Sequence, residues 1–204
     1  MALSRIPRHV GVIPDGNRRW AVQHGMEKHE GYAHGVAPGL ALFEQCRRTG
    51  VEEVSVYCFT KDNVKRAATQ KHAFTDATLQ LARALIEGGA DVVAVGDRDS
   101  ASFPAELAPF DAPRGSGQRV NLLVNYGWDW DLAGLRDGAI RSQNVSRMDL
   151  VIRWGGGRRL SGFLPVQSVY ADIFVEEALW PDCRPAHFKA ALAWFAQQDR
   201  TLGG

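Results

Sequence analysis

Asp15-Gly16-Asn17-Arg18-Arg19 sets a carboxylate, a glycine, an amide and two guanidinium groups in consecutive positions. They follow the apolar run Val10-Gly11-Val12-Ile13, whose β-branched residues read as a buried strand. A strand that ends in such a cluster reads as an active-site loop. Asn17, Arg18 and Arg19 offer donors to an anion, and the N–H groups of the helix expected next add a positive end. Gly16 lets the backbone approach a ligand that a Cβ would exclude. Asp15 is the odd member, because a carboxylate among phosphate donors repels the phosphate unless a cation such as Mg2+ lies between them. The loop therefore points to magnesium-diphosphate chemistry. The plainer reading is a strand-to-helix turn in which Asp15 caps the helix and the arginines are solvated.

A second basic loop, Arg153-Trp154-Gly155-Gly156-Gly157-Arg158-Arg159-Leu160-Ser161-Gly162, follows the strand-like run Leu150-Val151-Ile152. Arg153 and Arg159 can each present a planar fork to phosphate oxygens, and Ser161 adds a hydroxyl. Two such loops at one sheet edge would hold two anionic groups side by side, as two diphosphate-bearing substrates require. Surface ion pairs on a glycine-rich turn remain the alternative. Thr60, Lys61, Asp62, Asn63, Lys65 and Arg66 form a third polar cluster after Val54-Ser55-Val56-Tyr57-Cys58-Phe59. Taken singly, Asn63 and Asp172 read equally as turn residues, Tyr32 as a packed aromatic and His9 as structural.

The elements that must position these loops alternate. Strands are expected at Val10–Ile13, Val54–Phe59, Asp91–Gly96, Val120–Asn125, Leu150–Arg153 and Ile173–Val175. Helices are expected from Val36 to a glycine stop at Gly50, on the stripe Phe74, Thr78, Leu81 and Leu85, over 131–140, over 164–170, and on Phe188, Leu192 and Phe195. Residues 99–118, rich in proline and glycine, read as a surface excursion with one helical turn. Continuous apolar runs separated by helices imply an α/β fold with a mainly parallel sheet covered on both faces, whose ligands lie beyond the carboxyl ends of the strands.

Composition narrows the rest. The chain, residues 1–204, is long enough for a single domain with a substantial core. Its 24 Lys and Arg against 23 Asp and Glu leave no bulk field for nucleic acid, so an anion site must be local. Cys46, Cys58 and Cys183 match neither a disulfide framework nor a zinc spacing, which suits a reduced, cytoplasmic protein. No run is long enough for a membrane span, and the N-terminus lacks a signal-peptide core.

His9-Val10-Gly11-Val12-Ile13-Pro14-Asp15-Gly16-Asn17-Arg18-Arg19-Trp20-Ala21 resembles the signature of the cis-prenyltransferases, the undecaprenyl diphosphate synthase family. Tyr57 to Arg66, Asn125-Tyr126-Gly127, Asp149 to Leu164, Tyr170-Ala171-Asp172, Leu179-Trp180-Pro181-Asp182 and Gly203-Gly204 are similar to its later motifs, in order. The resemblance implies a six-stranded mainly parallel sheet flanked by helices, used as a homodimer, and a Mg2+-dependent prenyltransferase acting on allylic diphosphates. It implies Asp15 as Mg2+ ligand near the leaving diphosphate, with Gly16, Asn17, Arg18, Arg19, Trp20, Lys28 and Arg66 around the allylic substrate. Arg153, Arg159 and Ser161 match the second diphosphate site, Asp172 a second metal ligand in place of glutamate, and Asn63, with Thr60 or Tyr32, the assistant to proton removal.

The departures cluster around the second substrate. Val64 stands where the family has tryptophan, Trp154 for threonine, Gly157 for glutamate, Gly162 for asparagine, Tyr32 for histidine, and Trp128-Asp129 for Gly-Arg. Ser161-Gly162-Phe163-Leu164-Pro165 instead resembles the irregular branch, the lavandulyl and isosesquilavandulyl diphosphate synthases, which join two allylic diphosphates head to middle. The span from Trp130 to Asp149 is short by about two helices at ordinary helix lengths, which favours a short product over one needing a long apolar tunnel. The implied reaction joins dimethylallyl diphosphate to geranyl diphosphate, or two dimethylallyl diphosphates. The alternatives are a regular short-chain elongase using isopentenyl diphosphate and a non-catalytic partner subunit.

Overall fold

Six apolar runs become six strands in the computed structural model, which describes residues 5–115 and 117–198. They are β1 (His9–Ile13), β2 (Glu53–Thr60), β3 (Asp91–Val95), β4 (Arg119–Tyr126), β5 (Leu150–Arg153) and β6 (Asp172–Val175). They form one sheet in the order β3-β4-β2-β1-β5-β6, and every neighbouring pair is parallel. Parallel strands with both faces covered need apolar residues on both, which is why their sequences run apolar without alternation. The register aligns Ile13 with Arg153 and Val12 with Val56, so the carboxyl ends of β1, β2 and β5 emerge together.

The two faces are covered differently. Helices α3 (Val36–Thr49), α4 (Ala68–Glu87) and α6 (Pro185–Phe195) all pack on one face. Leu42, Phe43, Leu81, Leu85, Phe188, Leu192 and Phe195 close over Val10, Val12, Val54, Val56, Leu122 and Ile152 there. Each such side chain, once fully buried, contributes about 1.5–3 kcal/mol. The opposite face, with Val93, Val95, Leu123 and Val151, is covered by Trp130, Val145, Met148, Phe163 and Leu164. Trp130 comes from the short helix α5 (Trp128–Ala133), which a 3-10 turn at Gly134–Asp137 follows, and the others come from turns and irregular chain. Two further short helices, α1 (Asn17–Gln23) and α2 (Gly31–His34), follow the first loop.

Two helix expectations are corrected. Over 131–140 the helix starts earlier, at Trp128, and ends at Ala133. The cause is Asp131, which is fully buried and takes hydrogen bonds from the Tyr126 hydroxyl (2.7 Å) and from the Ser142 N–H and hydroxyl (2.8 and 2.6 Å), folding the chain back on itself. Over 164–170 there are turns and no helix. Ser161, Gly162 and Leu164 all have positive φ (53°, 78° and 37°), and Ser168 Oγ donates back to the Leu164 carbonyl at 2.9 Å, so the segment cannot start a regular helix. Gly203-Gly204 lie outside the described residues.

Candidate active site

Loops from β1, β2 and β5 enclose a cavity of about 360 Å³ at their carboxyl ends. Five guanidinium groups line it, those of Arg18, Arg19, Arg66, Arg153 and Arg159, against the two carboxylates of Asp15 and Asp62. The surplus of positive charge in a concave space suits a multiply charged anion. Gly16, Asn17, Tyr32, Thr60, Asn63 and Ser161 also line it, so most of the expected residues meet there.

Asp15 does not cap α1, which has no side-chain cap. Its carboxylate turns across to the second loop instead, where Oδ2 accepts from Arg153 Nη2 at 2.7 Å, while Oδ1 stands 3.7 Å from Arg19 Nη2. Arg153, only 4% exposed, also donates through Nη1 to the Arg159 carbonyl at 2.6 Å and to Ser161 Oγ at 3.0 Å. Its Nε is buried without a partner. Arg19 Nη2 donates to the Gly155 carbonyl at 2.8 Å. The two basic loops are thus stitched together above the carboxyl ends of the paired strands β1 and β5.

The β2 side is more apolar. A register shift at Tyr57–Thr60 marks a bulge in the β2–β4 ladder, the kind of irregularity that re-aims side chains near a site. Thr60 Oγ1 accepts from the Asn63 N–H at 3.3 Å and starts the 3-10 turn Lys61–Lys65. Arg66 Nη1 donates to the Tyr32 hydroxyl at 2.8 Å, and burial weakens the hold of that guanidinium on its proton, though not enough for an arginine to lose it. Phe74 from α4 completes this wall, with ring centroids 4.6 Å from Tyr32 and 5.7 Å from Phe59.

Three expected residues are elsewhere. Asp172 opens β6, level with Leu150, whereas Val175 is level with Arg153, so it sits toward the amino end of the sheet beside Arg5 at 3.9 Å. A parallel sheet delivers its carboxyl ends to the cavity, and Asp172 is not at one; within this chain it is no part of the site. Lys28 is exposed between α1 and α2 and lines no part of the cavity. Trp20 donates from Nε1 to Asp182 Oδ1 at 3.0 Å and stacks on His24 at 4.0 Å, outside the cavity. Gly16 is required for another reason than close approach to a ligand: its φ is 112°, and a Cβ would lie 2.8 Å from Leu179 Cδ2.

Tyr57 and Phe74 are lining residues that sequence reasoning missed. Tyr57 donates to the Ser161 carbonyl at 3.0 Å, and burial pushes its hydroxyl up to about 12, so it stays a donor and pins the second loop. Its place near the end of β2, beside the polar cluster, was the available signal. Phe74 read as an ordinary stripe residue of its helix, and only the tertiary fold turns it inward.

A family profile described as "Putative undecaprenyl diphosphate synthase" matches residues 13–203. The ditrans,polycis-undecaprenyl-diphosphate synthase ((2E,6E)-farnesyl-diphosphate specific) of Pseudomonas putida is 30% identical, covering 99% of this chain and 92% of its own. Its alignment extends over 232 positions, which leaves roughly 30 that 99% of 204 residues cannot fill. The tritrans,polycis-undecaprenyl-diphosphate synthase (geranylgeranyl-diphosphate specific) of Aeropyrum pernix is 30% identical over 97% of this chain and 98% of its own. In fold, the chain is similar to lavandulyl diphosphate synthase from Lavandula x intermedia, solved with dimethylallyl diphosphate, at a TM-score of 0.81 and 22% identity over 97% and 98% of the two chains.

Proposed function

The chain belongs to the undecaprenyl diphosphate synthase family of prenyltransferases, and from that premise we propose that it joins two short allylic diphosphates head to middle. The substrates in this reading are dimethylallyl diphosphate with geranyl diphosphate, or two dimethylallyl diphosphates, held by one domain over residues 1–204. The observation that carries it is the cavity itself: arginines from the two basic loops converge in it, and Tyr32 and Phe74, in contact with each other, supply an aromatic wall. The arginines suit two diphosphates, and the aromatic wall suits a short prenyl chain rather than a long one. The two relatives are undecaprenyl-diphosphate synthases, and lavandulyl diphosphate synthase gives a precedent for the branched product on the same fold.

Mg2+ fits the donors present. Among the described residues no group of three His, Cys, Asp or Glu gathers, so an all-protein cage is ruled out there. Magnesium is commonly held by one or two carboxylates plus substrate phosphates and waters, and Asp15 Oδ1, without a hydrogen bond, can serve as that carboxylate. When bound, the metal would neutralise charge on the departing diphosphate. Arg18, Arg19 and Arg66 do the same from the protein side, where negative charge develops as the C1–O bond breaks.

The double bond of the second substrate then attacks C1, a C1–C2 bond forms, and the tertiary cation loses a proton to give the branched alkene. The released diphosphate is basic enough to accept it. Tyr32, its hydroxyl oriented by Arg66, and Asn63 and Thr60 on the same β2 side hold that proton path in place.

Incubating the protein with Mg2+ and each pairing of dimethylallyl, geranyl and isopentenyl diphosphates, then dephosphorylating and identifying the alcohols, tests the reading. A branched product from allylic pairs alone is expected. A linear Z-prenyl alcohol that requires isopentenyl diphosphate would replace it with the elongase reading that the 30% identical relatives favour. The retention of Asp15, Arg19 and Arg153 in one cavity argues against a non-catalytic subunit.

A further inference from the structure

Arg153 is the only side chain that hydrogen-bonds to Asp15 among the described residues, and it is nearly buried at 5% side-chain exposure. Its donors are unevenly satisfied. Nη2 goes to Asp15 Oδ2 at 2.7 Å, Nη1 goes to the Arg159 carbonyl and Ser161 Oγ, and Nε has no partner. A buried guanidinium depends on its one anionic partner, and the carboxylate that supplies it is the one best placed to hold a divalent cation. A cation on Asp15 would stand a few ångströms from Arg153, where like charges repel unless an anion lies between them.

We propose that Arg153 competes with the divalent cation for Asp15, and that an anion bound at the second loop releases the carboxylate by taking over the guanidinium. The proposal rests on reading the cavity as a magnesium-diphosphate site. In the empty cavity the ion pair keeps Asp15 occupied and the cation binds weakly. An anion reaching the unpartnered Nε and Ser161 supplies Arg153 with the negative charge that Asp15 had given it. Cation and anion then bind with mutual reinforcement, and the metal loads only onto a protein already holding a diphosphate.

Gly157 is the positioning residue for this pairing. A Cβ there would lie 2.6 Å from Arg153 Nε and 2.9 Å from both Cζ and Nη2, so any side chain moves the guanidinium. Gly157 is not among the glycines with positive φ, so alanine would act through that contact and not through backbone strain. The absence of a side chain at 157 thus lets Arg153 lie across to Asp15.

The test needs no turnover. Mn2+ binding is measured on the full chain by the fall in free-ion electron paramagnetic resonance signal, and inorganic pyrophosphate binding by calorimetry without metal. Wild-type protein is expected to take up Mn2+ weakly, whereas Arg153→Gln and Gly157→Ala each bind it at least about tenfold more tightly, as removal of a competing charge pair predicts. Arg153→Gln also loses pyrophosphate affinity by about tenfold, the scale of one lost charge-assisted contact. Adding Asp15→Asn to either variant cancels the gain in Mn2+ binding.

Unchanged Mn2+ affinity in a Gly157→Ala protein with native circular dichroism overturns the proposal, as does a gain in Arg153→Gln alone, which would report net charge and not the pairing. Gly157→Ala keeps every charge and decides the matter if Arg153→Gln does not fold. If no protein binds Mn2+ or pyrophosphate, the reading of the cavity fails together with the proposal; if wild type binds pyrophosphate and the variants merely match it for Mn2+, only the proposal fails.

Discussion

Asp15 shows how a residue can be legible in kind but not in its geometry. Its place after an apolar strand and before two arginines marked it as the member of the loop that needs a cation. Its partner could not be read, because Arg153 lies 138 positions away and only the β1–β5 pairing brings the two loops together. Asp172 differs: the strand expected at Ile173–Val175 already put it at a strand's amino end, and only the motif match set against that placement made it a metal-ligand candidate. Substituting Asp15→Asn is expected to lower kcat/KM at least about a hundredfold, the scale of losing a charge that acts on the leaving group. The unfolding midpoint should fall as well, because Asp15 is the one anionic partner of a guanidinium only 5% exposed, and neutralising it leaves that buried charge unmatched. Rates of the two proteins under identical Mg2+, with thermal melts beside them, give the answer; a folded variant with wild-type kcat/KM removes Asp15 from the chemistry.

The strands were legible because burial on both faces writes an uninterrupted apolar run, and no expected strand is missing from the sheet. The two helix expectations on the other face were not, because buried Asp131 and the positive φ values at Ser161, Gly162 and Leu164 overrode the local pattern. On α4, Phe74 read only as one residue of the helix stripe, yet with Tyr32 it forms the aromatic wall of the cavity. Phe74→Ala is therefore expected to raise acceptance of a C15 relative to a C10 allylic diphosphate by about tenfold, at a stability cost of about 2 kcal/mol for a half-buried ring. Competition between the two substrates reads the ratio directly, and an unchanged ratio would acquit the ring.

The amino ends of β1, β2 and β4 carry a different signal. His9 is 1% exposed, with Nε2 at 2.9 Å from Ser55 Oγ and Nδ1 at 3.0 Å from the Ser146 carbonyl. Ser146 and Asn121 in turn donate to Glu53. Desolvation holds the His9 imidazole below its ordinary value, outweighing the opposite pull of the Glu53 and Asp149 carboxylates. His9 is thus structural rather than catalytic. A depressed folded value means that the unfolded chain binds the proton more readily, so this contribution is complete above about pH 6.5 and is lost as pH falls toward the folded value. Urea midpoints between pH 8 and 5 should fall on acidification, and His9→Gln should flatten that fall while lowering stability throughout.

At the scale of the whole molecule, the long helices occupy one face, and the other is closed by turns that leave apolar side chains in solvent. Val166, Val169 and Tyr170 are 44, 64 and 60% exposed on the segment that leads into β6, and Ile173 on that edge strand is 41% exposed. No sequence pattern announced this, because scattered valines in a turn region look the same whether solvent or a protein covers them. An apolar cluster beside an unpaired strand edge is a surface that a monomer has reason to cover. A second copy of this chain, paired about a twofold axis through β6 and the preceding turns, would bury it self-complementarily. Light scattering at micromolar concentration is expected to give twice the 22.4 kDa chain mass for wild type and a single chain mass for Val169→Asp with Ile173→Asp. A wild-type protein that scatters as 22.4 kDa throughout would leave that surface to another partner and overturn the homodimer that the family resemblance implies.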